Sequence, residues 1–74
     1  MVRGYGRFAI SRRVLVNMKD GSAIEGVLWE DRRPFLVLRN ARLHTHGQSS
    51  PLDGEVIIDY AQISFLQAPD PREL

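Results

Sequence analysis

Hydrophobic and polar residues alternate along residues 14–38, the stretch around which the rest of the chain is organised. The pattern predicts a first β-strand over residues 8–18, because Val14 and Val16 fall on one face under the two-residue period of a strand. The Asp20-Gly21 pair that follows is typical of a tight hairpin turn, since glycine tolerates positive φ. The sheet is therefore predicted to begin with an antiparallel hairpin.

A glycine interrupts the apolar face of the second predicted strand, residues 22–30. Ile24, Gly26 and Leu28 share this face, and Trp29 lies on the other. A glycine at mid-strand permits the sharp bend with which a strand wraps around a very small barrel. The pattern therefore indicates a strongly bent sheet. Trp29 is expected to pack against the N-terminal residues or an adjacent subunit, or to stack on a base or anchor a partner.

A charged turn is predicted over residues 31–34, with Arg32 and Arg33 exposed at its tip. A third strand over residues 35–39 follows and carries apolar residues on both faces, so both faces need to be covered. Residues 44–54 contain two glycines and a proline and break all periodicity. A variable loop is predicted there.

Two further short strands are predicted over residues 55–59 and 63–67. The connector between them is short enough for a single turn of 3₁₀ helix. In the last strand, the two-residue period places Ile63 and Phe65 on one face and Leu66 on the other.

These last two strands lack the lysine, proline or bulge that normally blunts an exposed sheet edge. An unpaired edge of this kind would be a template for aggregation, so both strands are predicted to pair with another copy of the chain. The predicted interface residues are Val56, Ile57, Ile58, Ile63, Phe65 and Leu66.

The chain is predicted to divide into a flexible basic arm (residues 1–10), a barrel domain (residues 11–67) and a proline-containing tail (residues 68–74). The arm combines two glycines with arginine and aromatic residues. Arg3 and Arg7 could lie on the phosphates of a nucleic acid. Alternatively, the arm is a frayed terminus or packs on a neighbouring subunit.

Size and charge both favour self-association. A chain of 74 residues builds only a small core, and without cysteine it has no disulfide to reinforce that core. Residues 1–42 hold nine Lys or Arg against four Asp or Glu, whereas residues 43–74 hold one against five. Such polarity can bind an anion at one end, or it can let the basic region of one subunit meet the acidic region of the next.

The order of these parts resembles the two sequence motifs of the Sm/LSm family, which includes eukaryotic Sm proteins, archaeal Sm-like proteins and bacterial Hfq. Asp20-Gly21, Gly26 and Asp31, placed between apolar strands, resemble the first motif, and residues 56–60 followed by 63–66 resemble the second. The resemblance implies an all-β fold, a small, strongly bent, five-stranded antiparallel barrel of the SH3-like or Sm-like kind. It also implies a ring of roughly five to seven subunits, in which strand four of one subunit pairs with strand five of the next.

The sequence is also similar to small Sm-like proteins carried by some bacteriophages, which would place it in the host cytoplasm or the virion. RNA-binding members of the family hold bases with an aromatic residue and an asparagine before strand three, and with an Arg-Gly pair in the second motif. Here Phe35 stands at the asparagine position and Asp59-Tyr60 replaces the Arg-Gly pair. The resemblance therefore implies a ring that binds RNA or single-stranded nucleic acid with low sequence specificity through a different pocket. The predicted nucleic-acid-binding residues are Arg32, Arg33, Phe35, Tyr60, Arg3 and Arg7. The alternative is a structural or assembly ring, such as a phage virion component, that binds proteins and has no nucleic-acid role.

Other classes of function find little support in the sequence. No Cys/His or Ser/His/Asp constellation and no phosphate-cradling glycine loop occurs, so an enzyme is not expected and no cofactor is predicted. His44 and His46 could ligate a metal with Asp53 or Glu55, but solvated histidines are the usual occupants of such a polar loop, and no metal site is predicted. The chain lacks an apolar run of about 18 residues, so a cytosolic location is expected and a membrane span is not.

Overall fold

Six antiparallel strands and one turn of 3₁₀ helix make up residues 12–69, the part of the chain that the computed structural model describes. Predictions for the arm (Arg3 and Arg7 included), for residues 8–11 of the first strand and for residues 70–74 of the tail fall outside these residues. The elements are β1 (Arg13–Met18), β2 (Ala23–Arg32), β3 (Phe35–Thr45), β4 (Gln48–Leu52), β5 (Val56–Asp59), the 3₁₀ turn (Tyr60–Gln62) and β6 (Ile63–Gln67).

The strands form one bent antiparallel sheet in the order β4-β3-β2-β1-β6, and β5 also pairs with β3. One half of β3 pairs with β4 and the other half pairs with β5. Only β5 corresponds to the fourth predicted strand, residues 55–59, because β4 ends at Leu52, before that strand was predicted to begin. The prediction of a small, bent all-β barrel is confirmed.

The core lies on the face of the sheet that the alternation predicted. Val14 and Val16 of β1 are completely buried, and they pack in one cluster with Leu28 of β2. The other buried members of the cluster are Leu36, Leu38, Ala41 and Ile58. On three neighbouring strands, the apolar residues of the alternating pattern therefore face the core.

Gly26 lies where β2 and β3 approach each other most closely. A Cβ atom at this position would lie 3.1 Å from both the Cβ of Ala41 and the carbonyl oxygen of Arg39. The β2–β3 register shifts between Glu25 and Val27, and Asn40 opposite has a positive φ of 52°. The two strands can approach this closely because glycine has no side chain, in agreement with the bend that the sequence predicted at this position.

The first hairpin also forms as expected. Gly21 has a φ of +93°, and the main-chain N–H and the hydroxyl of Ser22 both donate to the carboxylate of Asp20, at 2.9 and 2.6 Å. These hydrogen bonds, the hydroxyl first, lower the pKa of Asp20. The turn is therefore held by the aspartate side chain as well as by the glycine backbone.

The predictions for the third strand and the loop after it are wrong. β3 does not end at Arg39 but continues to Thr45, and β4 then occupies residues that were predicted as loop. His46 and Gly47 both have positive φ and form a two-residue hairpin turn. This hairpin projects largely polar side chains into solvent, so it lacks the apolar alternation by which a strand is detected.

β2 also runs further than predicted, to Arg32, so that only Arg33 and Pro34 remain in the turn before β3. The peptide bond between them is cis. The predicted single turn of 3₁₀ helix is confirmed at Tyr60–Gln62, capped by the carboxylate of Asp59, which accepts from the N–H of Ala61 at 2.9 Å.

The predicted faces of the last strand are wrong. Ile63 and Leu66 both pack against the core, whereas Phe65 is 56% exposed. The register of β6 against β1 shifts between Asn17 and Met18, and Ser64 is the extra residue. A bulge of this kind rotates the strand, so residues three apart share a face.

Beyond β6, the chain stays close to the sheet for at least two residues. Ala68 packs against the core, and the carbonyl oxygen of Pro69 accepts from the guanidinium of Arg12 at 2.7 Å. Between residues 12 and 69, no helix is long and apolar enough to cross a membrane.

Candidate nucleic-acid interface

Two turns that are distant in sequence meet at one end of the barrel. One is the Arg33-Pro34 turn between β2 and β3, and the other is the junction of β5 with the 3₁₀ turn. The main-chain N–H of Tyr60 donates to the carbonyl oxygen of Pro34 at 2.9 Å. Phe35 faces Asp59 in the β3–β5 ladder. The sheet therefore brings the two segments that were predicted to bind nucleic acid into direct contact.

Arg33, Tyr60 and Asp31 form a compact group at this contact, which we name the turn cluster. The guanidinium carbon of Arg33 lies 4.3 Å from the centroid of the Tyr60 ring. The Tyr60 hydroxyl donates to Oδ1 of Asp31 at 2.7 Å, and Nε of Arg33 donates to the same oxygen at 3.4 Å. The carboxylate thus holds the cation over the aromatic ring.

The environment of Tyr60 keeps its phenol protonated. Partial burial raises the pKa of Tyr60, and the hydrogen bond to Asp31 raises it further, which outweighs the opposing effect of Arg33. The single hydroxyl proton is donated to Asp31. The ring face of Tyr60 rather than its hydroxyl is therefore the part that can hold a ligand.

The structure separates the four described residues of the predicted site into two pairs. Arg33 and Tyr60 are in contact within the turn cluster. Arg32 and Phe35 form a cross-strand pair, and strand alternation places Phe35 on the sheet face opposite the buried Leu36. Phe35 is 45% exposed, and Arg32 is paired with Glu30 at 2.8 Å. The predicted site is thus two small sites around the end of one hairpin.

Acidic residues balance the two arginines at this end of the barrel. Glu30 contacts Arg32, Asp31 contacts Arg33, and Asp59 caps the 3₁₀ turn. Arg32 and Glu30 are both exposed, and exposed ion pairs contribute only about 0–1 kcal/mol, so a phosphate group can replace Glu30 at little cost. The side chain of Asp31 is only 18% exposed, but the Arg33 side chain is 74% exposed and its Nη atoms can contact a phosphate without displacing Asp31.

Sequence reasoning missed Asp31 as a member of the site and treated it only as a turn residue. Its hydrogen bond to Tyr60 joins residues 29 positions apart. No local pattern signals such a contact, because it depends on β3 pairing with both β2 and β5.

Three strands of the described sheet, β4, β5 and β6, pair with a neighbour on one side only, and β5 and β6 each carry an exposed large apolar side chain. Among the described residues, β5 pairs only with β3, and β6 pairs only with β1. Ile57 on β5 is 64% exposed, and Phe65 on β6 is 56% exposed. Of the other predicted interface residues, Val56, Ile63 and Leu66 lean against the core, and Ile58 is buried in it.

The two histidines of the predicted loop do not come together. His44 lies on β3, where its Nε2 contacts Oε1 of Glu25 at 2.9 Å, and the same carboxylate contacts Arg13. His46 lies exposed in the β3–β4 turn. From residue 12 to residue 69, no group of three His, Cys, Asp or Glu side chains is placed to hold a metal ion.

The architecture is similar to solved structures of Sm proteins. The SmAP1 heptamer of Pyrobaculum aerophilum matches with a TM-score of 0.83 at 21% identity, covering 95% of this chain and 96% of that one. The Sm protein of Pyrococcus abyssii, crystallised with a uridine heptamer, matches with a TM-score of 0.80 at 20% identity, covering 88% and 93%. A chain of the NatC complex bound to CoA matches with a TM-score of 0.78 at 16% identity, covering 85% and 82%.

These similarities define the class of fold. No protein-family model and no curated protein sequence matches the chain. At this level of sequence identity, the matches are evidence for the fold only. The chain has the Sm-like fold, which confirms the resemblance that its sequence indicated.

Proposed function

We propose that this protein assembles into a closed ring of Sm-like subunits that binds RNA or single-stranded nucleic acid with little sequence preference, and that it acts by binding rather than catalysis. The observation that carries the proposal is the stacked Arg33–Tyr60 pair, held by Asp31 where the two turns meet. Support comes from the archaeal proteins of the same fold, one of which is a heptamer and another a complex with a uridine heptamer.

The ring part of the proposal follows from the free edges. If β5 of one subunit pairs with β6 of the next, the unpaired main-chain groups of both strands gain partners. The same pairing would cover Ile57 and Phe65, which are exposed in the single chain. Closure into a ring leaves no β5 or β6 edge open, whereas an open chain of subunits leaves one of each exposed at its ends.

The binding part follows from what the turn cluster offers a ligand. The guanidinium of Arg33 can contact a phosphate, and the ring of Tyr60 can stack on a base. The hydroxyl of Tyr60 already donates to Asp31, and the remaining donors of Arg33 are those proposed to contact phosphate, so neither side chain is assigned to the edge of a base. Stacking tolerates every base, and the proposed binding is therefore weakly specific.

Assembly and binding can be tested on the same preparation. Size-exclusion chromatography with light scattering, and with absorbance at two wavelengths, reports the number of subunits and any nucleic acid that copurifies. Fluorescence anisotropy then measures the affinity for labelled oligouridine, oligocytidine and oligoadenosine over a range of salt concentrations. We expect similar affinities for the three oligonucleotides and a steep loss of affinity with salt.

Arg33→Ala is expected to weaken binding to all three oligonucleotides and to reduce the salt slope, because one phosphate contact is lost. Arg42→Ala is the matched control. Arg42 is also exposed, but it lies seven residues further along β3, about 23 Å from the turn cluster end of the strand. Equal losses in the two variants would show that binding reflects overall charge and not this site.

Two other outcomes would redirect the proposal. A stable ring without salt-sensitive binding at low ionic strength would favour an assembly that binds proteins. A monomer at micromolar concentration would contradict both the ring and the binding site built on it.

A further inference from the structure

The only tryptophan of the chain is left half exposed at an irregular point of β2. Trp29 is 46% exposed, and the register of β2 against β3 shifts between Leu28 and Glu30. The guanidinium carbon of Arg39 lies 3.9 Å from the centroid of the indole and covers one side of the ring. The other described residues leave much of the indole exposed. A large aromatic surface of this kind usually marks a contact.

The main chain of β2 is also incompletely paired beside this tryptophan. The β1–β2 ladder reaches Val27, and the N–H of Leu28 donates to the carbonyl oxygen of Arg12 at 2.8 Å. β2 continues to Arg32, but no strand formed by residues 12–69 pairs with that edge beyond this bond. Unpaired edges are normally covered or blunted. The uncovered edge and the half-exposed indole are adjacent.

The position of Arg12 identifies the segment that can cover both. Arg13 faces Val27 in an antiparallel register, so residues that precede Arg12 continue alongside residues 29–32. The eleven residues before Arg12 reach as far as about 36 Å when extended. They end at the uncovered edge, because Ser11 directly precedes Arg12.

The composition of this segment fits an edge strand. Phe8 and Ile10 alternate with Arg7, Ala9 and Ser11, and continuation of β1 would place the two apolar residues on the face of Val14. The small residues Ala9 and Ser11 would then lie on the face of Trp29.

We infer that residues 8–11 of the same chain extend β1 along residues 29–32 of β2 and shield Trp29. The surface they occupy is the free edge of β2 with the indole beside it. This docking closes the barrel on the side of the turn cluster and holds the basic residues of the arm next to that cluster. It does not depend on ring formation or on nucleic-acid binding.

Proline substitution in the full-length chain tests this docking. Ile10→Pro removes a main-chain donor that the proposed strand would use, because the bond from the N–H of Leu28 to Arg12 makes residue 10 the next hydrogen-bonded position, opposite Glu30. Gly4→Pro makes a comparable change outside the proposed strand. We expect Ile10→Pro to shift the fluorescence of Trp29 to longer wavelength, to raise its quenching by acrylamide and to speed hydrogen exchange of the amides of Glu30 and Arg32. Gly4→Pro should leave all three unchanged. Unchanged exchange and quenching in Ile10→Pro would overturn the inference.

A second measurement keeps the inference testable if Ile10→Pro fails to fold. The chain contains no cysteine, so Gly6→Cys provides a unique site for a nitroxide spin label. The label is expected to broaden the NMR signal of the single indole N–H in a subunit that carries both. Broadening that appears only when labelled subunits are mixed with isotopically labelled ones would assign the arm to a neighbouring copy and overturn the inference. Broadening that disappears when doubly labelled subunits are diluted with subunits that carry neither label would also assign the arm to a neighbouring copy. Broadening seen only with a bound oligonucleotide would assign the arm to nucleic acid and overturn the inference.

Discussion

Gly26 offers the sharpest test of how this sequence produces its fold. Gly26→Ala adds one methyl group to a buried position that lacks positive φ, so the substitution introduces no backbone strain of the left-handed kind. The new Cβ would lie 3.1 Å from the Ala41 Cβ, 3.1 Å from the Arg39 carbonyl oxygen and 3.2 Å from the Ala41 Cα. Two of these three atoms belong to the main chain of β3. The clash therefore requires the strands to separate.

The expected cost is large for a domain of this size. Overpacking a well-packed core typically costs about 1–3 kcal/mol. A core of this length supplies only roughly 3–5 kcal/mol of stability in total. With a urea slope of about 1 kcal/mol per molar for so small a domain, the midpoint should fall by about 1–3 M. Wild type and variant are compared by circular dichroism at one protomer concentration, since self-association would otherwise contribute.

A double variant distinguishes this close approach from a general loss of stability. Ala41→Gly removes the one side-chain atom of the clash but leaves the two main-chain atoms in place. Gly26→Ala combined with Ala41→Gly should therefore recover part of the loss and not all of it. A Gly26→Ala variant within about 0.5 kcal/mol of wild type would refute the reasoning, because the effect would be no greater than that of an ordinary surface substitution. Full recovery in the double variant would show that the main chain of β3 yields more easily than the geometry indicates.

Two further predictions concern the sheet edges and the turn cluster. Ile57→Lys places a charge on the exposed β5 edge, so light scattering should show smaller species while the β-sheet signal in circular dichroism persists. Ser50→Lys, which places the same charge on the polar strand β4, should leave the assembly intact. Equal behaviour of the two variants would count against pairing through β5. The raised pKa of Tyr60 means that the neutral phenol stabilises the fold, so its contribution is complete below the ordinary tyrosine pKa of about 10 and is lost as the pH rises through the higher folded value. Ultraviolet titration of a Tyr5→Phe variant, in which Tyr60 is the one remaining tyrosine, should show a midpoint above that ordinary value, and a midpoint at or below it would contradict the burial of Tyr60 and its hydrogen bond to Asp31.

Local chemistry with a single physical cause could be read from the sequence. The Asp20-Gly21 turn depends on a glycine φ and an aspartate side chain, and Gly26 marks a bend because only glycine fits there. The alternation of Val14 and Val16 placed the core on the correct face. Each of these signals lies within a few residues, so no knowledge of the rest of the fold is needed.

Features that depend on pairing between distant strands could not be read in this way. The end of β3 and β4 were predicted as a loop because neither carries a fully buried side chain after Ala41, and a strand without a buried face has no period-two pattern. The bulge at Ser64 changed which residues of β6 face the core. At the candidate site, the pairing of β3 with both β2 and β5 decided that Tyr60 meets Arg33 and not Phe35.

The two halves of β3 pair with different strands, and the β3–β4 hairpin is therefore a part of the domain whose length can change during evolution. Because β4 and β5 pair with separate halves of β3, residues can be added to or removed from the outer hairpin in equal numbers on its two strands without shifting the register of β5. Gly54, with a φ of +71°, lies in the break between the two halves and separates them. The protruding hairpin can therefore become longer and make new contacts while the barrel, its free edges and the turn cluster keep their geometry.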